Sequence, residues 1–124
     1  MCGIIGINSS KSVSATIINS LKKLEYRGYD SAGIATLYDG SINEIKSEGR
    51  VDNLEKSSLV KNMEGTVGIG HVRWATHGLP NSINAHPHSS KNVSVVHNGI
   101  IENSTLLKKF LVKKGHVFKS QTDT

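Results

Sequence analysis

The chain opens with Met1-Cys2-Gly3-Ile4-Ile5-Gly6, a short apolar run that contains its only cysteine. Together with Ile7, this run predicts a buried strand that brings the N-terminus into the interior of the fold. Because an initiator methionine is usually removed when the next side chain is small, we expect the mature chain to begin at Cys2. One residue would then combine a thiol with a free α-amino group.

Cys2 has two interpretations. A thiolate is a strong nucleophile, and an α-amino group, with a pKa of about 7.7–8.0, is a base close to physiological pH. A nucleophile activated by its own amine is one route to covalent catalysis. The alternative is that a lone cysteine is a small buried hydrophobic residue. Position alone leaves both interpretations open.

The composition fits one ordinary domain. With 124 residues, 36% of them hydrophobic, the chain can bury a modest core. No apolar run approaches the ~20 residues of a membrane span, and the N-terminus lacks the basic leader of a signal peptide, so we expect no membrane partner. A single cysteine excludes an internal disulfide, which favours a reducing, cytoplasmic location.

Charge and histidine content exclude two further classes of site. The net charge is +5, but the lysines are dispersed on amphipathic segments without interleaved aromatic residues, so we expect no nucleic-acid partner. The densest histidines, His77 and His86-Pro87-His88, have no nearby cysteine or carboxylate and match zinc spacing poorly. We therefore expect neither a metal nor another cofactor.

Hydrophobic spacing predicts strands that alternate with helices. Apolar residues over 13–24 form one helix face that Ser12 would cap, and a turn at Asp39-Gly40 would join two strands into a hairpin. The segment 77–92 holds both prolines and is expected to be a long loop. The expected strands are 2–7, 32–37, 42–45, 66–72, 93–96 and 116–119, and the further helices are 51–60 and one from Asn103 or Ser104 to Gly115.

Two polar clusters follow expected strands. In the first, Arg73 offers a planar fork for a carboxylate and Thr76 adds a hydroxyl, with Trp74 large enough to shield a small ligand. The alternative is a strand end with a surface arginine and a packed tryptophan. In the second, the Asn98 side chain and the Gly99 N–H could form an oxyanion hole. The alternative there is an ordinary Asn-Gly turn.

Six stretches, taken in order, carry a resemblance to a known family. They are Met1-Cys2-Gly3-Ile4-Ile5-Gly6, Leu24-Glu25-Tyr26-Arg27-Gly28-Tyr29-Asp30-Ser31-Ala32-Gly33, Arg73-Trp74-Ala75-Thr76-His77-Gly78, Asn84-Ala85-His86-Pro87-His88, Val96-His97-Asn98-Gly99-Ile100-Ile101-Glu102-Asn103 and Gln121-Thr122-Asp123-Thr124. Together they resemble the class II, N-terminal-cysteine glutamine amidotransferases along nearly all 124 residues. The resemblance implies an α+β fold, the αββα sandwich of the N-terminal-nucleophile hydrolases.

The resemblance also implies a role for each matching residue. Cys2 would attack the side-chain amide of glutamine with its own amine as base, while Asn98 and Gly99 hold the oxyanion. The other implied contacts are to the substrate: Arg73 and Thr76 to the α-carboxylate, Asp123 to the α-ammonium, and Trp74, His77 and His86 around the bound glutamine. The products would be glutamate and ammonia, the latter passing to a phosphosugar isomerase domain that makes glucosamine 6-phosphate.

The length departs from that resemblance. We expect residues 1–124 to be a partial, truncated amidotransferase domain, with the phosphosugar isomerase domain absent. Three origins remain open: a gene remnant without a competent site, one half of a split enzyme, or a deliberately shortened chain. In the second case the partner would be a complementing chain that carries the rest of the domain and the isomerase.

Overall fold

A four-stranded antiparallel sheet organises the molecule, as seen in a computed structural model that describes residues 1–76 and 78–124. The strands are β1 Gly3–Asn8, β2 Ser31–Tyr38, β3 Ser41–Glu48, β4 Val67–Arg73, β5 His88–Ser90 and β6 Val93–Val95. The strands of the large sheet lie in the spatial order β1-β4-β2-β3, and a separate two-stranded sheet pairs β5 with β6. The helices are α1 Ser14–Leu24, α2 Val51–Glu55, α3 Ser58–Lys61 and α4 Ser104–Lys113, with a 3-10 turn at Glu25–Arg27.

One face of the large sheet packs on α1. Two glycines of β4 allow this close approach, because a Cβ on Gly68 would lie 2.7 Å from Ile17 Cδ1 and one on Gly70 would lie 2.5 Å from Ile17 Cγ2. Ile17 and Leu21 are completely buried there, and each such side chain contributes about 1.5–3 kcal/mol. The hydrophobic core therefore lies between α1 and the sheet.

The opposite face of the sheet carries the polar residues. Side chains alternate along a strand, so His71 and Arg73 of β4 point away from α1 when Gly70 faces it. The segment after β4 returns across this second face, since a Cβ on Gly33 would lie 2.1 Å from the His86 carbonyl oxygen. Gly3 faces α1, where its Cβ would meet Leu24. This alternation directs Cys2 to the second face.

Most of the expected elements are present, with four corrections. The helix expected over 51–60 is two short helices, and α1 has Val13 rather than Ser12 at its N-cap, without a side-chain cap hydrogen bond. The loop expected over 77–92 contains β5, which pairs with β6. The segment 116–119 is not a strand, because it pairs with no other strand in the described part of the chain.

Helix α4 is the least buried element. Among its described residues none is buried, and Leu106 is 70% exposed while Phe110 is 54% exposed. An amphipathic helix normally buries its apolar face against another element. The apolar face of α4 is therefore exposed and available to pack against another surface. Within residues 1–76 and 78–124, no helix is long and apolar enough to cross a membrane.

Candidate active site

A pocket of about 220 Å³ lies on the second face of the sheet. The N-terminus, the end of β4, the segment after β6 and the last residues of the chain form its walls. Eight residues predicted from the sequence line it: Cys2, Arg73, Trp74, Thr76, His86, Asn98, Gly99 and Asp123. The ninth, His77, lies outside the described residues. Distant parts of the sequence therefore converge on one cavity.

The Cys2 sulfur is held against the backbone of Trp74. The Trp74 N–H donates to Cys2 Sγ at 3.3 Å, and Sγ lies 3.6 Å from the Trp74 carbonyl oxygen. Cys2 is half-buried, so the sulfur is oriented while still reachable. The α-ammonium in this structure belongs to Met1 and donates to the Arg27 carbonyl oxygen at 2.9 Å. The amine of Cys2 is therefore a peptide nitrogen here.

Arg73 places a positively charged side chain in the wall of the pocket. Only 4% of the residue is exposed, and its guanidinium donates to the carbonyl oxygens of Leu79 at 3.0 Å and Gly78 at 3.4 Å. Its Nη1 also lies 3.6 Å from Asp30 Oδ1. A buried guanidinium oriented in this way suits a carboxylate ligand, because its donors form a rigid planar fork.

Asp30 connects this arginine to the pocket loop. The Ala75 N–H donates to Asp30 Oδ2, and the Ser31 hydroxyl donates to Oδ1 at 2.9 Å. Trp74, immediately before Ala75, is half-exposed and packs over Gly28, where an added Cβ would lie 2.5 Å from the indole ring. The loop that contains Trp74 is thus positioned by the segment between α1 and β2.

Asn98 and Gly99 form the wall of the pocket beyond β6. Both residues are exposed to the cavity side of the fold and line it. A Cβ at Gly99 would lie 2.7 Å from His97 Nε2, so only glycine fits against this imidazole without a shift. A glycine N–H and a neighbouring side-chain amide are the donors that an oxyanion hole requires.

The last residues of the chain are fixed by histidines. Thr122 Oγ1 lies 3.0 Å from His88 Nε2, and Thr124 Oγ1 lies 2.8 Å from His97 Nδ1. Asp123, between the two threonines, accepts a hydrogen bond from the Ile101 N–H at 2.7 Å. This arrangement brings a carboxylate to the pocket that could receive an ammonium group.

Three neighbouring histidines are kept neutral by burial. The rings of His71 and His86 stack with centroids 4.3 Å apart, and His88 lies 4.5 Å beyond His86. Burial lowers the pKa of His71 to about 4, of His86 to about 2 and of His88 to about 4. Within the described ranges, no group of three histidine, cysteine or acidic residues could hold a metal ion.

Sequence reasoning missed several of these residues. His71 contacts the backbone of His97, and Asp30 accepts a hydrogen bond from the Ala75 N–H. His88 and His97 contact the two threonines that flank Asp123. Asp30 stands inside one of the matching stretches but was given no role of its own. His71 shares a face of β4 with Arg73, two residues on, so strand alternation was the signal that could have identified it.

The fold places the chain in a class. Glutamine phosphoribosylpyrophosphate amidotransferase from B. subtilis superimposes with a TM-score of 0.83 and 27% identity, over 100% of this chain and 27% of that one. A second structure, described as the allosteric regulatory enzyme of purine biosynthesis, gives a TM-score of 0.82 and 27% identity. The chain thus has the fold of the N-terminal-nucleophile glutamine amidotransferases and covers part of that domain. This confirms the fold class expected from the sequence.

Sequence relatives narrow the class. The chain is 54% identical to glutamine–fructose-6-phosphate aminotransferase (isomerizing) of Mesorhizobium japonicum, and 56% identical to those of Clostridium acetobutylicum and Pyrococcus horikoshii. It matches the N-terminal part of these enzymes along its whole length. No established family profile matches it. The chain spans about a fifth of the length of the curated relatives it matches.

Proposed function

We propose that this chain carries the glutamine-hydrolysing site of a glutamine–fructose-6-phosphate aminotransferase, with Cys2 as nucleophile. The observation that carries the proposal is the pocket of about 220 Å³, in which one thiol faces a guanidinium, a carboxylate and an Asn-Gly pair. Each group has a counterpart in glutamine: the side-chain amide, the α-carboxylate and the α-ammonium. The identity of over half the residues to the named relatives supports the same assignment.

The reaction proceeds in two stages. The Cys2 thiolate attacks the amide carbon of glutamine, and the oxyanion that forms accepts hydrogen bonds from the Asn98 side chain and the Gly99 N–H. Collapse of this intermediate breaks the C–N bond, releases ammonia after protonation, and leaves a thioester on Cys2. Water then cleaves the thioester to give glutamate and the free thiol.

Binding of glutamine depends on charge at its α-carbon. The Arg73 guanidinium and the Thr76 hydroxyl bind the α-carboxylate, and Asp123 binds the α-ammonium. Trp74 and His86 line the pocket around the substrate. The resemblance implies a similar role for His77, which lies outside the described residues. A substrate that lacks either charged group forms one ion pair fewer in the pocket, so we expect it to bind more weakly.

Removal of Met1 is part of the proposal. In this structure the Met1 ammonium donates to the Arg27 carbonyl oxygen, and Met1 lines the pocket. Once Met1 is cleaved, the Cys2 amine becomes the free base that takes the thiol proton, through a water. Intact-mass measurement of the active protein tests this step, and a mass that includes methionine would contradict it.

The decisive assay measures glutamate release from glutamine, with Cys2→Ala and the near-isosteric Cys2→Ser as controls. We expect slow, Cys2-dependent release by the chain alone. We expect faster release when a complementing chain supplies the remainder of a relative such as the Clostridium acetobutylicum enzyme. Ammonia would then reach the isomerase that makes glucosamine 6-phosphate. Rapid release by the chain alone would refute the need for a complementing chain.

A non-catalytic remnant or binding module is the second candidate. The exposed apolar face of α4 favours it, because an incompletely covered fold holds its site less rigidly. This candidate predicts glutamine binding without turnover. Two results together would establish it. Calorimetry would detect glutamine binding, and in the presence of the complementing chain the wild type and Cys2→Ala would release glutamate at the same background rate.

A further inference from the structure

The backbone of His97, the residue before the Asn-Gly pair, is held at both its N–H and its carbonyl oxygen by imidazoles. The His97 N–H donates to His86 Nδ1 at 3.3 Å, and the His97 carbonyl oxygen lies 3.1 Å from His71 Nε2. The two rings that make these contacts stack on each other with an interplanar angle of 16°. His71 is fully buried and His86 is 5% exposed, so water does not replace these hydrogen bonds easily.

These contacts determine the tautomer of each ring. A carbonyl oxygen only accepts, so His71 Nε2 must carry the proton that it donates to His97. Its Nδ1 is buried without a hydrogen-bond partner among the described residues, and burial lowers the pKa of the ring, so no second proton is held there. A backbone N–H only donates, so His86 Nδ1 must be unprotonated and its ring proton sits on Nε2. Both rings are therefore neutral, in agreement with the lowered pKa of each.

The position of His97 explains why two rings are used. The ladder between β5 and β6 ends at the pair His88–Val95, so the sheet no longer fixes the backbone that follows. The two imidazoles supply the hydrogen bonds that a neighbouring strand would otherwise give. The His97 ring in turn packs against Gly99 and contacts Thr124.

We propose that His71 and His86 are positioning residues that clamp the His97 backbone and so aim the Asn98 amide and the Gly99 N–H at the oxyanion. This inference rests on the proposed function for its catalytic consequence. The clamp acts through the backbone of His97 and needs no contact between His71 and the substrate. Misplacing oxyanion donors by about 1 Å can cost on the order of 10²-fold in rate.

Matched substitutions test the clamp. His71→Gln keeps an N–H donor near the position of Nε2, whereas His71→Leu removes it. His86→Asn keeps an acceptor near Nδ1, whereas His86→Leu removes it. We expect both leucine variants to lose about 10- to 100-fold in kcat for glutamate release, and the amide variants to recover most of it. KM should change little for His71→Leu, which removes no residue of the pocket lining, and should rise as well for His86→Leu, because His86 lines the pocket. His116→Gln, at an exposed position, serves as the control.

Two outcomes of the kinetics overturn the clamp. One is that folded leucine variants keep the wild-type kcat, and the other is that the amide variants are as slow as the leucine variants. If a leucine variant fails to fold, the test uses the kcat of the amide variant of the same residue and the protonation of the ring nitrogens in the wild type.

A measurement independent of turnover separates this inference from the proposed function. Nitrogen NMR of the wild-type rings near neutral pH should show the Nε2–H tautomer for both His71 and His86. A Nδ1–H or doubly protonated ring at either position would overturn the clamp even in an active enzyme. The opposite result is also possible to distinguish. If both rings are Nε2–H but the chain shows no Cys2-dependent glutamate release, the proposed function is refuted and the backbone clamp is not.

Discussion

Acid should unfold this protein through its buried histidines. Burial lowers the pKa of His71 to about 4, whereas an unfolded histidine titrates near 6.5. Below pH 6.5 the unfolded state therefore binds a proton that the folded state does not bind. The stability that the neutral ring contributes is fully present above pH 6.5, and it is lost as the pH falls towards about 4.

The size of the effect follows from the two pKa values. For His71 alone, linkage predicts a loss of about 2 kcal/mol of unfolding free energy between pH 7 and pH 5, and about 3 kcal/mol by pH 4. Burial also lowers the pKa values of His86 and His88, so their titrations act in the same direction. Small domains are stable by only about 5–15 kcal/mol, so these three histidines should account for most of the loss of unfolding free energy at acidic pH.

Urea unfolding monitored by circular dichroism between pH 7 and pH 5 measures this loss. His71→Gln removes one titrating ring and keeps a donor, so its unfolding free energy should fall by about 2 kcal/mol less than that of the wild type over the same range. The exposed His116→Gln should follow the wild type. Parallel curves for the wild type and His71→Gln would refute the assignment of acid sensitivity to His71.

Three further predictions concern packing, binding and the exposed helix. Gly33→Ala places a Cβ 2.1 Å from the His86 carbonyl oxygen and should cost about 1–3 kcal/mol in urea unfolding, whereas Gly6→Ala, whose nearest neighbour is 4.0 Å away, should cost less than about 1 kcal/mol. Arg73→Lys loses the planar fork and should raise KM for glutamine about 10- to 100-fold in a glutaminase assay, with kcat retained. Phe110→Ser, on exposed α4, should change the stability of the chain alone by less than about 0.5 kcal/mol.

Local sequence signals predicted the strands and the hairpin well. Asp39 and Gly40 have φ angles of 49° and 72°, as a two-residue hairpin turn requires, and Asp-Gly is the pair that tolerates them. Strand β5 was missed because His88-Ser89-Ser90 is polar and becomes a strand only by pairing with β6. The segment 116–119 was overestimated because propensity alone cannot supply a pairing partner.

The residues that line the pocket were predictable as a set, but the residues that hold them in position were not. The thiol, guanidinium, amide and carboxylate groups can be recognised as candidate site residues from residue type alone. The order of the matching stretches then indicated that they belong to one site. The roles of His71 and Asp30 depend on hydrogen bonds to the backbone of His97 and Ala75, which no residue pattern encodes. Backbone contacts between segments distant in the sequence are fixed by tertiary packing, so they become visible only in the fold.

The opening stretch explains why the Cys2 thiol lies in the pocket. Gly3 faces α1 against Leu24, and the alternation of β1 then turns Cys2 to the other face of the sheet. The register Gly3↔Val72 sets this strand beside the end of β4, so the thiol meets the backbone of Trp74, just after Arg73. A shift of one residue would turn the thiol towards the hydrophobic core. Gly3 therefore contributes to the position of the thiol, because a Cβ there would lie 2.7 Å from Leu24 Cβ and disturb the packing of β1 against α1.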